Sequence, residues 1–255
     1  MLTAITRGAS PRMAECELSF QDRQPIDAAR AQEQHAAYET ALAELGASIV
    51  HLPALQDQPD CVFVEDPLIV LDEIAIVARM GAGNRRGESE SLAAVVARYR
   101  GLRRIEAPGT LDGGDVMRVD KTLYVGLSHR TNAAGIQQLA KLVAPYGYWV
   151  TPVEIHGCLH LKSACCFLGE GTLLANRTLI DTDAFCGLHF LDVSADEPHA
   201  ANVLRIGNTV LVPSSYSRTH ALLELNGFAV RAMDISEFIK AEAGVTCMSV
   251  LFETD

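Results

Sequence analysis

Long apolar runs are missing from this sequence, and basic residues are scarce. No stretch reaches the length needed to cross a membrane as a helix. The first residues show no basic segment followed by an apolar one, so neither a signal peptide nor a membrane partner is expected. The 21 Lys and Arg residues face 32 Asp and Glu residues, which gives a net charge of −11. This balance argues against nucleic acid as a partner and suits a cationic small substrate.

Cysteine spacing of the kind that binds zinc is also absent. The seven cysteines include an adjacent pair, Cys165 and Cys166, but no C-x-x-C motif, and their number is odd. Neither a disulfide framework nor a structural zinc site is therefore expected, and the pattern indicates a reduced, cytoplasmic protein. Nor does any Pro-, Gly- or Ser-rich linker divide the chain, so residues 1–255 are predicted to form a single domain.

What the sequence does contain is a recurring unit of strand, tight turn, strand, helix and strand. The distance of roughly 40–50 residues between the turns is typical of stacked or radial repeats. Three copies are predicted, each given as two hairpin strands, a helix and a last strand: 62–70, 74–79, 88–100 and 102–105; 114–119, 122–125, 132–144 and 148–153; 202–206, 209–212, 217–225 and 228–233. About five copies would place five hairpins around one axis. An ordinary mixed sheet with chance similarity is the alternative.

Parts of two more copies are visible. A hairpin is predicted over 164–175 around the turn 169–171, and a helix over 28–45 leads into a strand over 47–52. In a ring of such units the ends of the strands converge on the axis, so a functional site is expected there.

Acidic residues cluster in two segments. Segment 59–67 puts carboxylates at both ends of a predicted strand, and segment 110–116 places two acids around a Gly pair, which permits close approach of backbone or ligand. An Asp at the edge of a strand is more often a turn-forming residue, so neither segment by itself indicates a site.

A histidine and a cysteine occupy two further segments. Residues 159–163 alternate apolar and polar side chains, and a strand there would place His160 and Lys162 on one face. Cys247 lies just past a glycine in a strand-like run, 244–252, and with a distant His it fits a thiol nucleophile whose partners meet it only in the fold. Taken singly, a free cysteine is more often a buried apolar residue and a lone histidine a structural one.

Together, six segments resemble the dimethylarginine dimethylaminohydrolase family, in the same order and at nearly the same spacing. They are 59–67, 84–88, 111–116, 128–132, 159–163 and 247–249. That family belongs to the guanidino-group-modifying, or amidinotransferase, superfamily. The resemblance implies an α/β fold, a five-bladed α/β propeller with pseudo-fivefold ββαβ repeats. It also implies the hydrolysis of Nω-methylated L-arginines to L-citrulline and methylamine or dimethylamine.

The same resemblance implies catalytic roles for three residues. Cys247 would attack the guanidinium carbon of the substrate and form a covalent S-alkylthiouronium. His160 would protonate the departing amine and then take a proton from water. Asp112 would orient the imidazole, although some relatives carry Glu at this position.

Five of the residues matched to substrate binding are charged. Asp60 and Asp66 would hold the guanidinium N–H groups through charge-assisted hydrogen bonds. Glu65 would lie on the opposite face of a regular strand and support the site from behind. Arg85 and Arg130 would bind the α-carboxylate, since a guanidinium binds a carboxylate with two parallel hydrogen bonds.

Two further matches involve little side-chain chemistry. Leu18 would lie at the tip of a lid over the substrate, and the backbone near Ala241 would contact the α-amine. The lid, residues 12–22, has the composition of a mobile loop.

The resemblance implies a methylated arginine as the partner and no cofactor. It leaves open whether two copies form a homodimer. An inhibitory zinc bound by Cys247, His160 and Cys158 is an alternative use of those residues.

Two rival functions are an arginine deiminase-like hydrolase acting on another guanidino compound and a propeller scaffold in which Cys247 is inert. Arginine deiminases are longer than this chain, and a scaffold does not need a thiol, an imidazole and two carboxylates together.

Overall fold

Five small sheets of the same construction follow one another along the chain. A computed structural model describes residues 1–254, and in this range fifteen strands form five separate three-stranded sheets. The strands are β1 (Leu2–Arg7), β2 (Ser48–Leu52), β3 (Leu68–Val70), β4 (Ile74–Val77), β5 (Gly101–Arg104), β6 (Val116–Val119), β7 (Thr122–Leu127), β8 (Trp149–Glu154), β9 (Cys165–Gly169), β10 (Thr172–Ala175), β11 (His189–Asp192), β12 (Leu204–Ile206), β13 (Thr209–Pro213), β14 (Ala229–Met233) and β15 (Ser249–Glu253).

Helices connect these strands. The α-helices in residues 1–254 are α1 (Ala28–Glu44), α2 (Ser89–Val96), α3 (Ala133–Val143), α4 (Leu161–Ala164), α5 (Ser217–Leu225) and α6 (Ser236–Ile239). Segments of 3-10 helix cover Met13–Glu15, Gly83–Glu88, Gly113–Asp115, Ala144–Tyr146, Arg177–Leu179 and Thr182–Ala184.

In every sheet the central strand pairs antiparallel with one neighbour and parallel with the other. Four antiparallel pairs are hairpins: β3–β4, β6–β7, β9–β10 and β12–β13. A positive φ at Asp120, Glu170 and Gly207 closes three of them at the turn positions expected from the sequence. The parallel partner follows after a crossover, which is α1, α2, α3 or α5 in four sheets and two 3-10 segments between β10 and β11. This confirms the predicted ββαβ repeat.

The chain closes into a ring through its two ends. β15 pairs antiparallel with β1, with Val250 opposite Ile5, and so completes the sheet that β1 and β2 begin. The N–H of Thr254 donates to the carbonyl of Met1 at 2.8 Å. The strands β3, β6, β9, β12 and β15, called the axial strands below, line one central cavity of about 310 Å³. Five sheets arranged around this cavity make the five-bladed propeller that was predicted.

Three strand predictions at the expected site were wrong. Within 62–70 only Leu68–Val70 is a strand, residues 159–163 run into the short helix α4, and the last strand begins at Ser249 rather than near Gly244. Turns and the short helix α4 occupy these places instead, because the chain must bend inward before each axial strand. The argument that Glu65 and Asp66 occupy opposite faces of a strand therefore does not apply.

A buried tyrosine links the first crossover helix to the final turn. The hydroxyl of Tyr38 on α1 donates to the carbonyl of Val245 at 2.7 Å and shares a hydrogen bond with Oγ of Ser249 at 2.8 Å. Burial raises the pKa of Tyr38, so the hydroxyl stays a donor. The contact ties the start of β15 to the apolar core around α1.

Replacing Tyr38 with Phe should lower the free energy of unfolding by about 1–2 kcal/mol, since a buried carbonyl and a buried hydroxyl lose their partner. Urea denaturation measures the change. Tyr146→Phe is the control: its hydroxyl accepts from Arg103 at 3.4 Å in an exposed position, and its effect should stay within about 0.5 kcal/mol. Equal effects of the two changes would contradict the assigned role of Tyr38.

Candidate active site

An inward turn precedes each of the five axial strands. These five turns lie together at the end of the axis where the axial strands begin. The polar side chains at these turns are Asp66 before β3, Asp112 before β6, His160 before β9, Asn202 before β12 and Cys247 before β15. Four of these five are predicted site residues. The repeat itself therefore brings together residues that are far apart in the sequence.

His160 lies between two carboxylates. Its Nε2 is 3.3 Å from Oδ2 of Asp112, and its Nδ1 is 3.8 Å from Oδ1 of Asp66. The other oxygen of Asp112 accepts from the N–H of Gly81 at 2.8 Å. A Cβ on Gly114 would lie 2.5 Å from Nδ1 of His160 and 2.8 Å from Oδ1 of Asp66. The histidine and the two acids can approach each other here because position 114 is a glycine.

A third acid, Asp115, binds the first turn of α4, the helix that begins next to His160. Its carboxylate accepts from the N–H of Leu161 at 3.0 Å and from the hydroxyl of Ser128 at 2.6 Å. Leu161 is the first residue of α4 and His160 is its N-cap. Asp115 therefore fixes the start of the helix that carries the imidazole.

The charges around His160 favour its protonated form. Burial disfavours the imidazolium, but the carboxylates of Asp66, Asp115 and Asp112 outweigh burial and raise the pKa of His160 to about 9. Burial raises the pKa of Asp115 to about 6, and the charge of His160 offsets part of that rise. At neutral pH the imidazole is therefore cationic and can donate a proton.

Cys247 lies in the turn before β15. The residue is half-buried, its Sγ accepts from the N–H of Gly244 at 3.4 Å, and its carbonyl accepts from the N–H of Glu65 at 3.2 Å. Burial raises the pKa of the thiol, and the carboxylates of Glu65 and Asp66 raise it further. In this arrangement the thiol is protonated at neutral pH.

Asn202, which the sequence analysis missed, holds the segment before Cys247. Its amide donates to Oγ1 of Thr246 and to the carbonyl of Lys162, both at 3.0 Å, and accepts from the N–H of Thr246 at 3.1 Å. A Cβ on Gly244 would lie 2.1 Å from Oδ1 of Asn202, so only glycine fits there. The signal that could have identified Asn202 is its position just before an axial strand.

Glu65 and Lys162 form an ion pair close to Cys247. Nζ of Lys162 is 2.5 Å from Oε1 of Glu65, and the other carboxylate oxygen accepts from the hydroxyl of Thr246 at 2.7 Å. The side chain of Lys162 is 15 % exposed and that of Glu65 is 12 % exposed. Both residues also line the central cavity. Glu65 thus holds the residue that precedes Cys247 and lines the central cavity on the side of the site.

Arg85 is surrounded by acceptors. Its Nη1 donates to Oδ2 of Asp66 at 2.7 Å, and its Nε and Nη2 donate to the carboxylate of Glu88 at 3.1 and 3.0 Å. Burial opposes the charged guanidinium, but Glu88 and Asp66 outweigh it and raise the pKa of Arg85. Arg85 is therefore placed to orient Asp66. Glu88, one 3-10 turn further on, was not predicted.

Arg130 has one buried N–H group that makes no hydrogen bond within residues 1–254. Its side chain is buried, and Nη1 has no hydrogen-bond partner among residues 1–254, while Nη2 donates to Oγ of Ser19 at 3.2 Å. A buried donor without an acceptor is costly, so this position suits an anionic group of a ligand.

Asp60 is also buried, and both its oxygens accept from the N–H of Glu17, at 3.2 and 3.1 Å. Burial raises the pKa of Asp60, although Arg85 offsets part of the rise.

The lid lies against these charged residues. Through Glu17 it contacts Asp60, and through Ser19 it contacts Arg130. Leu18, between them, is half-buried and packs on the same apolar core that contains the buried Ala241. The predicted lid tip thus lies between the two lid residues that contact Asp60 and Arg130, and Ala241 belongs to the apolar core on which Leu18 packs.

One group within residues 1–254 has three potential metal ligands close together. The ligand atoms of Asp66, Asp112 and His160 lie within 4.8 Å of one another. The trio considered for an inhibitory zinc, Cys158, His160 and Cys247, is not such a group, and Sγ of Cys158 instead faces the carbonyl of His160 at 3.6 Å. In the same range no helix is both long and apolar enough to span a membrane.

The raised pKa of His160 predicts a specific loss of stability with rising pH. A folded-state pKa of about 9 against an ordinary value of 6.5 stabilises the protein fully below pH 6.5, and this contribution disappears as the pH rises through 9. The free energy of unfolding should fall by about 3 kcal/mol over this range. Urea denaturation of the wild type and His160→Gln between pH 6 and 9.5 checks it. Parallel pH dependences of the two proteins would refute the raised pKa.

The Glu65–Lys162 pair should behave as a buried ion pair. Lys162→Met leaves the carboxylate of Glu65 without its cation and should lower the free energy of unfolding by about 3–5 kcal/mol. The double change Lys162→Met with Glu65→Gln removes both charges and should cost less than Lys162→Met alone. Denaturant unfolding of the single and double variants measures this coupling. A double variant less stable than Lys162→Met would contradict it.

Comparisons with known proteins agree on one family. The family model described as "N,N dimethylarginine dimethylhydrolase, eukaryotic" matches residues 12–183. The N(G),N(G)-dimethylarginine dimethylaminohydrolase of Streptomyces coelicolor is 40 % identical over 248 residues, which are 97 % of this chain and 95 % of that protein. The protein of the same name from Pseudomonas aeruginosa is 38 % identical over 228 residues, which are 89 % of this chain and 90 % of that protein.

Solved structures show the same relationship. A cysteine-to-serine mutant of the Pseudomonas aeruginosa protein, complexed with citrulline, superposes with a TM-score of 0.94 at 34 % identity and covers 99 % of this chain and 100 % of its own. The N-terminal domain of a cyanobacterial arginine dihydrolase has a TM-score of 0.83 at 18 % identity, which shows a shared fold alone. This chain belongs to the dimethylarginine dimethylaminohydrolase family.

Proposed function

We propose that this protein is a hydrolase that converts Nω-methylated L-arginines, asymmetric dimethyl- and monomethyl-arginine, to L-citrulline and dimethylamine or methylamine. The observation that carries the proposal is the buried cluster of His160, Asp112 and Asp66 at one end of the propeller axis. The carbonyl of Cys247 accepts from the N–H of Glu65, the residue next to Asp66, so the turn that carries the thiol adjoins this cluster. Relatives named for this reaction match nearly the whole chain.

Charge complementarity explains how the substrate would bind. Asp60 and Asp66 hold the guanidinium, whose planar N–H groups match carboxylate oxygens and fix the carbon for attack. The free donor of Arg130 receives the α-carboxylate. Arg85 is already paired with Asp66 and Glu88, so in this arrangement it holds Asp66 in place and leaves the α-carboxylate to Arg130.

The substrate itself would activate the nucleophile. The pKa of the Cys247 thiol is raised by burial and by the carboxylates of Glu65 and Asp66. A guanidinium cation bound beside Sγ opposes those carboxylates and favours the thiolate. The reactive form of Cys247 is thus produced where and when the substrate is in place.

His160 would then move protons in both half-reactions. The thiolate attacks the guanidinium carbon, the bond from this carbon to the methylated nitrogen breaks, and the leaving amine takes the proton of the imidazolium. The neutral imidazole next removes a proton from water, which attacks the S-alkylthiouronium. Breaking the carbon–sulfur bond, with loss of the remaining hydroxyl proton to solvent, gives citrulline and restores the thiolate. Asp112 keeps the imidazole oriented throughout.

We also propose that residues 1–255 act as one catalytic domain in the reducing cytoplasm. The last strand completes the first sheet, so the two ends of the chain belong to one unit. All seven cysteines are free thiols in the structure. A homodimer stays a prediction.

A citrulline assay with asymmetric dimethyl-L-arginine, monomethyl-L-arginine and L-arginine tests the function. Citrulline should form from the methylated substrates, and Cys247→Ser should lower kcat by at least about 1,000-fold. Cys186→Ser, at an exposed cysteine, is the matched control and should keep full activity. Turnover of L-arginine in place of the methylated substrates would indicate a deiminase-type enzyme. No product from any of the three would refute the assignment.

A further inference from the structure

Three consecutive backbone amides of the lid point at one carboxylate. Glu242 accepts from the N–H of Ser19 at 3.0 Å, from the N–H of Phe20 and from the N–H of Gln21 at 2.6 Å. The side-chain amide of Gln21 adds a hydrogen bond to the carbonyl of Ile239 at 3.2 Å. Successive amides that surround one anion form a backbone nest. In this protein a side chain of the chain itself supplies the anion.

The backbone of Glu242 is shaped for this contact. Its φ of +59° lies in the left-handed region, which residues other than glycine rarely adopt. The residue directly follows Ala241 in the segment that leads to Cys247. The carboxylate that holds the lid is therefore attached to the same segment as the nucleophile.

The other contacts of the lid go to groups that the proposed substrate would engage. The N–H of Glu17 donates to Asp60, and Oγ of Ser19 accepts from Arg130. A bound guanidinium and a bound α-carboxylate would redirect these two side chains. Glu242 has no assigned contact with the substrate, so its hydrogen bonds to the lid can persist when the site is filled.

We infer that Glu242 is a positioning residue that latches the lid across the site. Its carboxylate holds residues 19–21 and thereby places Leu18 beside Asp60 and Arg130. Entry of a substrate and release of a product then require these amide hydrogen bonds to open. The latch itself does not depend on the proposed chemistry, whereas its effect on catalysis rests on the proposed function.

Residue-resolved hydrogen exchange tests the latch without any turnover. Glu242→Gly removes the carboxylate, and glycine accepts the left-handed backbone without strain. The amides of Ser19, Phe20 and Gln21 should exchange at least about tenfold faster than in the wild type, because each loses a charge-assisted hydrogen bond. Glu242→Gln keeps one acceptor oxygen but no charge and should give an intermediate rate.

The chain offers a matched control at Glu170. This glutamate is exposed, has a φ of +49° and lies in the turn between β9 and β10. Glu170→Gly makes the same replacement in the same backbone region and should leave exchange at residues 19–21 unchanged. Unchanged exchange there in Glu242→Gly, or an equal acceleration in Glu170→Gly, would overturn the latch.

Kinetics test whether the latch positions the lid for the reaction. With asymmetric dimethyl-L-arginine, Glu242→Gly should raise KM roughly tenfold and change kcat by less than about threefold, because a loosened lid removes binding shared by the ground and transition states. Faster exchange with a wild-type KM would overturn the positioning role. A wild-type protein that turns over no methylated arginine would refute the proposed function instead, and the exchange experiment would still decide on the latch.

Discussion

The pairing of the last strand with the first is the constraint on which the rest of the structure depends. Val250 of β15 lies opposite Ile5 of β1, so the first sheet is complete only when the whole chain has passed around the axis. Cys247 precedes β15 by one short turn, and the same pairing therefore sets the position of the proposed nucleophile. Contacts between such distant segments cost loop-closure entropy. The site is therefore complete only when the ring is closed.

The site around that closure is a set of buried charges that compensate one another. Asp66 pairs with Arg85, Glu65 with Lys162, and Asp112 with His160. A buried charge without a partner is strongly destabilising, which explains why each of these three acids lies beside a basic side chain. The carboxylates keep His160 protonated and also oppose the thiolate of Cys247. In the proposed reaction a cationic substrate would oppose the second effect without removing the first, so the imidazole is protonated before binding and the thiolate forms only with the substrate.

The regular parts of the fold could be predicted from the sequence, and the turns at the site could not. The helix over 217–225 and the hairpin around Glu170 were predicted closely, because local periodicity and turn chemistry determine them. The segments 62–67, 159–163 and 244–248 were predicted as strands. The apolar residues of these segments, which alternate with polar ones in 159–163, suit a strand, but here the polar side chains face the axis and the apolar ones fill the cores between sheets.

The sequence by itself determined the number and order of the repeats and which polar residue types stand before the axial strands. Only the tertiary structure decided the partners: Arg85 with Asp66 and Glu88, Asn202 with the segment before Cys247, and Glu242 with the lid. The physical reason is that propensity and periodicity act between near neighbours along the chain. Hydrogen bonds and ion pairs depend instead on distances and directions between segments that meet only when the ring has closed.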